Sequence, residues 1–424
     1  MNEIARELMG VPDHVPHELV WQEDFDAFAT AKPDPFRRMG ELHDGPDIFW
    51  MRKSDKGLGG GISGWVLTRY DMIREALTDT WNFASGNERN MMSAIGFDWP
   101  LIPIELNPPQ QQRYRKVLEP FFAPAAIDAL DTAIRETCND LIAGFTETDH
   151  CEFIGEFAEK FPSQIFLDLM GMPRERLQDF LVWERGMLRG SPPEIVASMT
   201  AIYDYLRQFV REQRENPGSA IMQGIVSARL DDGQSLTETE MISICYLLYI
   251  GGLDTVYGTI GWIFWHLAGD QPLQQRLRKH PEEITRATEE LLRAFSAAST
   301  GRRVARDIEF HGVRMRAGDA VTAFLSLASR DPQAFDNPHA IDIDRKPRHM
   351  AFGTGPHTCL GLRLAKREIK IVLEIFLARF GNIRMPEGAR HTFHVGSVFG
   401  IDTLPLEWDQ RPSDPFRQEP DQVP

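Results

Sequence analysis

The chain has 424 residues, 42% apolar and 25% charged, a balance that suits a globular protein with a large core. Its 62 acidic against 46 basic side chains leave a net charge of −16, which argues against general nucleic-acid binding and against docking on an anionic membrane. Four cysteines, Cys138, Cys151, Cys245 and Cys359, make no disulfide framework in so long a chain and fit a reducing cytoplasm.

In chain order, residues 1–35 read as an irregular, proline-punctuated arm without the apolar run of a signal peptide or membrane anchor. Ile48–Met51 and Trp65–Thr68 are short β-like runs around Gly57-Leu58-Gly59-Gly60-Gly61, a loop-joined hairpin, and Asp71–Thr78 carries a helix pattern. Residues 86–106 are apolar but aperiodic, which fits either a buried connector or a lid over a ligand. From Gln110 to Gly269 the signal is mainly helical, with breaks at Pro120, Pro162, Pro173, Pro192-Pro193 and Pro217-Gly218. Thr237 and Glu240 make a capping box opening a long helix from about Glu238 to Ala268. Its greasiest run, Ile242–Leu253, is too short to span a bilayer and is cut by Asp254, so the chain reads as soluble. Residues 281–295 form a further helix, and Phe310–Arg314 and Asp319–Thr322 read as short strands. A polar meander follows at 330–350, strand-like material at His391–Trp408, and a frayed tail at 409–424. With no repeats and no low-complexity linker, the 424 residues read as a single, mainly α unit with small β elements.

Three stretches carry chemistry. In the long helix, Gly251 and Gly252 each cost about 1 kcal/mol against alanine, and Asp254 sets a carboxylate among Leu and Ile. The combination suits a loosened notch where Asp254 and Thr255 relay protons. It equally suits a close helix crossing with Asp254 in an ordinary ion pair. Glu290 and Arg293 stand three apart on one helix face, a pairing common on solvated helices. Last comes Phe352-Gly353-Thr354-Gly355-Pro356-His357-Thr358-Cys359-Leu360-Gly361, a cysteine opening an apolar, basic helix from Leu362 past Phe376. Unpaired N–H groups at a helix start favour a thiolate, and Gly353 and Gly355 accept backbone angles closed to other residues. A thiolate so placed binds a metal such as haem iron or acts as a nucleophile; a buried structural cysteine is the plain alternative. A zinc site on His357 and Cys359 lacks a second Cys/His cluster at zinc spacing.

Taken whole, Phe-x-x-Gly-x-x-x-Cys-x-Gly with His357 two residues before the cysteine resembles the haem-ligand loop of the cytochrome P450 family. Gly-Gly-x-Asp-Thr resembles the oxygen-activating helix of the same family. The resemblance covers nearly the whole chain after about residue 14. It is nearest the soluble bacterial camphor hydroxylase branch, through His14-Val15-Pro16, Asn107-Pro108-Pro109, Gly251–Val256 and Phe310-His311-Gly312-Val313. It implies a cytochrome P450 fold holding haem b, with Cys359 as the axial iron ligand in a loop shaped by Phe352, Gly353 and Gly361. Gly251 and Gly252 would lie beside the haem, Asp254 and Thr255 would deliver protons, and Arg115, Arg302 and His357 would anchor the propionates. Gln111 stands where many members carry His, which weakens one propionate contact. Glu290 and Arg293 would lock to Arg345 of the meander, a structural role.

Position matching implies an apolar substrate pocket of Phe97, Trp99, Leu247, Ile250, Ala298 and Val398. Loop 86–106 has no tyrosine to hold a ketone, and Thr300 stands where the camphor enzyme is acidic, so a related terpenoid or norisoprenoid fits better than camphor. The implied reaction is monooxygenation with O2 and two electrons. No flavin or nicotinamide fingerprint is attached, so the electrons would come from a 2Fe–2S ferredoxin and its reductase. That partner would dock on a basic patch of Arg74, Arg115, Arg348 and Lys366. A peroxide-driven enzyme of the same fold and a non-catalytic haem or ligand sensor are the rival readings.

Overall fold

The apolar sequence converges on one helix, Glu238–Gly269, seen in a computed structural model that describes residues 11–52, 64–86 and 91–410. Thr237 opens it: its Oγ1 accepts the Glu240 N–H at 3.2 Å, and the Glu240 carboxylate accepts the Thr237 N–H at 2.7 Å. By length and composition this helix is apolar enough to cross a membrane, a property that reading Ile242–Leu253 alone misses. Within the fold 61% of its most apolar window is buried, and it packs against Lys160–Met170, Leu177–Arg189 and Pro192–Glu215. Its buried polar tips find partners: the Tyr249 hydroxyl donates to Phe180 O at 2.6 Å and Trp262 Nε1 to Phe399 O at 3.0 Å.

On the opposite side of the cavity below, the helix Leu362–Arg379 follows the cysteine loop and packs on Asp131–Ala143 and Ile284–Ala294. A five-stranded sheet closes one flank, in the spatial order Ile48–Met51, Gly64–Leu67, Ala320–Phe324, Ser299–Val304, Phe83–Ala84. The first two strands pair antiparallel from Ile48 opposite Leu67 to Met51 opposite Gly64. The glycine-rich connection expected between them lies outside the described residues. The fold is thus mainly α with small sheets, as the sequence implies.

Local readings differ in several places. The arm is not irregular throughout: Asp24 and Asp34 accept the backbone N–H groups of Ala27 and Arg37 and start two short helices, Phe25–Thr30 and Pro35–Gly40. These helices bury Phe25, Phe28, Phe36 and Met39, which an arm defined by its prolines conceals. Pro162 breaks nothing, because it falls in the first turn of Lys160–Met170, where its missing N–H costs no hydrogen bond. Phe310–Arg314 is no single strand; His311 and Gly312 both take left-handed angles and turn Ile308–Phe310 back onto Val313–Met315. Strands His150–Glu152 and Phe380–Arg384 are too short to show a period and form only by flanking Pro405–Gln410. Asp409 and Gln410 therefore belong to a strand, and the rest of the expected tail lies outside the described residues.

Candidate active site

The cysteine loop is held by its own backbone. The Cys359 N–H donates to Phe352 O at 2.9 Å, and the Gly353 N–H to Met350 O at 2.8 Å. Gly353 and Gly355 have φ of 64° and 75°, and a Cβ on Gly355 would meet Leu77 O at 2.7 Å, so only glycine fits there. Gly361 caps Leu362–Arg379 with ordinary angles. Cys359 is enclosed by protein yet bare on one side, toward a cavity of about 370 Å³. Burial pushes its thiol upward, and the N–H groups of Gly361 and Leu362 with the charge of Arg115 oppose this without reversing it. The helix start alone therefore does not make the expected thiolate; a metal cation at the sulfur is needed.

The cavity runs from Cys359, Phe352 and His357 to Leu247, Gly251 and Thr255 of the central helix. Pro103, Ile104, Phe166 and Ala298 close it. Four nitrogen-bearing side chains, Gln111, Arg115, Arg302 and His357, reach its wall. Arg302, only 6% exposed, donates through Nη1 to Gly301 O at 2.8 Å, while its Nε has no partner. Burial pushes this guanidinium down to about 10, and no carboxylate among the described residues pairs with it. His357 has a buried, unpartnered Nε2; burial first, then the charges of Arg302 and Arg115, push its imidazole down to about 4. Arg115 donates to Pro356 O at 3.3 Å and to Glu119 at 3.1 Å. Gln111 donates to the same Pro356 O at 2.8 Å and leaves its own Oε1 without a partner.

Buried donors without acceptors are costly unless an anion completes them. A planar group with a soft-ligand metal and two carboxylates meets every requirement: a bare sulfur, an open cleft, and at its rim the unpartnered Nε of Arg302 and Nε2 of His357 beside Arg115. The residues present fit haem b.

The two helix glycines do different things. A Cβ on Gly251 would meet nothing within 4 Å, whereas one on Gly252 would lie 2.5 Å from the Phe166 ring. Gly251 keeps the cavity open, and Gly252 lets Lys160–Met170 cross closely. Thr255 stands on the cavity wall with Oγ1 donating to Gly251 O at 3.3 Å. Asp254 turns the other way: 4% exposed, it accepts from Arg189 Nη2 at 2.6 Å, and Arg189 also bonds the Tyr257 hydroxyl. The cavity wall at Thr255 and the ion pair of Asp254 thus lie about 100° apart around one unbroken helix.

Leu247 and Ala298 line the cavity, but four expected pocket residues stand off its wall. Phe97 and Trp99 instead pack at a tilt against Tyr203 of Pro192–Glu215, with centroids 4.5 and 6.4 Å away. Ile250 packs into the helical core, and Val398 bridges to Ala298 while facing Gly258. The sequence reading misses Pro103 and Ile104, which reach the wall because the loop is pinned. Ser243 Oγ accepts the Ile102 N–H at 2.7 Å and donates to Pro100 O at 2.8 Å. The Glu105 carboxylate accepts the N–H groups of Met91 and Leu101. A lone acid between apolar residues and prolines is the signal that marks this tether.

Behind the cysteine helix, the fully buried Glu290 accepts from Arg293 at 2.7 and 2.8 Å and from Arg345 Nε at 3.3 Å. Arg293 spends its other donors on the carbonyls of Ser329, Pro338 and Ala340, so the pair fastens the meander. The expected basic patch is smaller than four residues. Arg115 points into the cavity, Arg74 pairs with Asp71 at 3.0 Å, Lys366 pairs with Glu289 at 2.7 Å, and Arg348 is exposed.

Residues 163–408 match the family model described as Cytochrome P450. Over 407 residues the chain is 36% identical to a probable cytochrome P450 127A1 of Sinorhizobium fredii, covering 94% of this chain and 97% of that one. Two solved structures superpose on it over 94% of its length and the whole of theirs, each 29% identical: CYP101C1 with a TM-score of 0.84 and CYP101J2 with 0.83.

Proposed function

We propose, from the premise that the chain belongs to the cytochrome P450 family, that it hydroxylates a small apolar substrate of terpenoid or norisoprenoid kind with electrons from a ferredoxin. Members of this family are haem b monooxygenases that take O2, a substrate and electrons from a redox partner. The observation that carries the reading is the shared cavity: the bare sulfur of Cys359 faces the same space as Thr255 and the unsatisfied nitrogens of Arg302 and His357.

When bound, haem supplies activation of O2 and insertion of one oxygen atom into a C–H bond. Cys359 would hold the iron through Sγ, and Arg115, Arg302 and His357 would hold the propionates. Leu247, Ile104, Phe166 and Ala298 exclude water and orient an apolar ligand with few polar contacts. Thr255 holds a proton at the cavity wall, and Asp254 carries protons from the side of Arg189. The net charge of −16 makes any exposed basic spot, Arg348 foremost, the natural landing point for an acidic iron–sulfur protein. Three buried free thiols, Cys138, Cys151 and Cys245, all pushed upward by burial, suit a reducing cytoplasm.

The test is a terpenoid panel titrated for a spin-state shift of the iron, followed by product analysis with ferredoxin, reductase and O2. Hydroxylated product from a ligand that shifts the spin state supports the reading. Product with peroxide alone, or tight ligand binding with no turnover under any electron supply, overturns it.

A further inference from the structure

A second cavity, of about 500 Å³, opens between Pro35–Gly40, the C-terminal end of the central helix and the meander. Arg330 lines it while only 2% exposed, its Cζ 5.6 and 5.7 Å from the ring centres of Phe36 and Phe295. Its Nε donates to Ala294 O at 2.9 Å and its Nη1 to His339 Nδ1 at 3.2 Å. Among the described residues its Nη2 has no hydrogen bond, and no carboxylate forms an ion pair with it. A guanidinium only donates, so His339 Nδ1 is the acceptor and the imidazole stays neutral, leaving the charge of Arg330 unmatched. Burial pushes that guanidinium down to about 10, against the opposing charge of Asp34. The acids on the wall are engaged elsewhere. Asp34 Oδ1 accepts the Arg37 N–H and Asp270 Oδ1 the Leu273 N–H, both at 3.0 Å, each capping a helix. Lys32, at the rim, pairs with Glu41 at 2.5 Å. Arg37 is exposed beside it, and among the described residues its side chain has no ion pair. His266 adds a buried Nε2 without a hydrogen-bond partner, 3.4 Å from Asp270 Oδ2. Two unpaired guanidiniums, one of them buried, therefore face one space, and a buried cation is costly until an anion joins it.

We propose that this cavity binds a small organic monocarboxylate, its carboxylate held between Arg330 Nη2 and Arg37 and its apolar body lying on Trp265, Phe295 and Ile341. Arg330 supplies a donor already out of water, and Arg37 a planar fork that matches two carboxylate oxygens. Asp34 and Asp270 on the wall repel a doubly charged ligand, which favours a carboxylate over inorganic phosphate. Trp265, Phe295 and Ile341 add an apolar surface that a bare inorganic anion leaves unused. Phe295 borders the haem cavity as well, so the two spaces share a wall but no cationic group. The site stands whatever substrate the haem cavity takes.

The test is calorimetric titration of benzoate into the haem-loaded full chain at low salt, with the iron saturated by an azole so that the first cavity is filled. Saturable one-to-one binding is expected, weaker for inorganic phosphate and absent for benzyl alcohol, which keeps the ring and lacks the charge. Arg37→Gln and Arg330→Met should each weaken benzoate about tenfold or more, the loss of a charge-assisted hydrogen bond. Arg330→Met also gives up the bond to Ala294 O, so it counts only where the reduced carbon monoxide band shows that haem and fold are intact. Arg37→Gln alters an exposed side chain with no ion pair to lose, and it decides the question where Arg330→Met does not fold. Four results overturn the proposal: no saturable binding, binding that vanishes once the azole is in place, phosphate or benzyl alcohol as tight as benzoate, or unchanged affinity in Arg37→Gln or in folded Arg330→Met.

Discussion

Arg302 and His357 face one cavity with buried nitrogens, Nε and Nε2, that no hydrogen-bond partner among the described residues completes. An uncompensated buried guanidinium burdens the protein until an anion arrives. Arg302→Leu should stabilise the haem-free protein by about 1–3 kcal/mol, because removing a buried charge for an apolar group relieves desolvation. The same variant should release haem faster. Chemical denaturation of the haem-free protein and transfer of haem to an acceptor globin check both signs.

The paired glycines of the central helix should respond oppositely. Gly252→Ala drives a methyl 2.5 Å from the Phe166 ring and should destabilise by about 1–3 kcal/mol. Gly251→Ala meets nothing within 4 Å and should gain up to about 1 kcal/mol of helix propensity while weakening substrate binding. Thermal unfolding and spin-state titration of the two variants separate the effects.

Arg293→Met leaves Glu290 buried without its main partner and frees three carbonyls of the meander. The expected loss is about 3–5 kcal/mol, read by denaturant unfolding. Haem content on purification should fall with it, since the meander packs beside the cysteine loop.

Glu289 gives the acid response a local cause. Burial alone would raise its carboxyl, but hydrogen bonds from His349 and Lys366 outweigh it and hold the group at about 2, well below the ordinary 4.5. A depressed folded value stabilises above 4.5 and loses that contribution as pH falls from 4.5 toward 2. Glu289→Gln should therefore be less stable than the wild type at pH 6, with the gap closing across that window. Denaturation midpoints at stepped pH measure it.

Ser243 ties loop residues Pro100 and Ile102 to the central helix. Ser243→Ala leaves the Ile102 N–H buried without an acceptor, at about 1–3 kcal/mol. Amide exchange at Ile102 should quicken, with exchange around Cys359 unchanged.

What could be read from the chain alone lies within a turn or two of backbone. The capping of Thr237 by Glu240, the left-handed glycines before Cys359 and the pairing of Glu290 with Arg293 depend on offsets of six residues or fewer, which local geometry sets. Direction across the fold is another matter. Successive helix residues point about 100° apart, so Asp254 and Thr255, adjacent in sequence, meet different surroundings. Asp254 reaches Arg189, 65 positions earlier, and Thr255 reaches the cavity. Phe97 and Trp99 read as pocket residues until Tyr203 claims them, and of the two places read for Arg115, propionate anchor and surface patch, its helix turns it to the cavity wall. Glu184 shows nothing in the sequence beyond a Glu-Arg dipeptide. Its burial, with Oε1 left unpartnered, arises only where elements distant in the chain enclose it. Local spacing thus determines which chemical groups the chain carries and how their own loops are held, whereas desolvation and partner choice depend on packing between distant segments, which decides what those groups face.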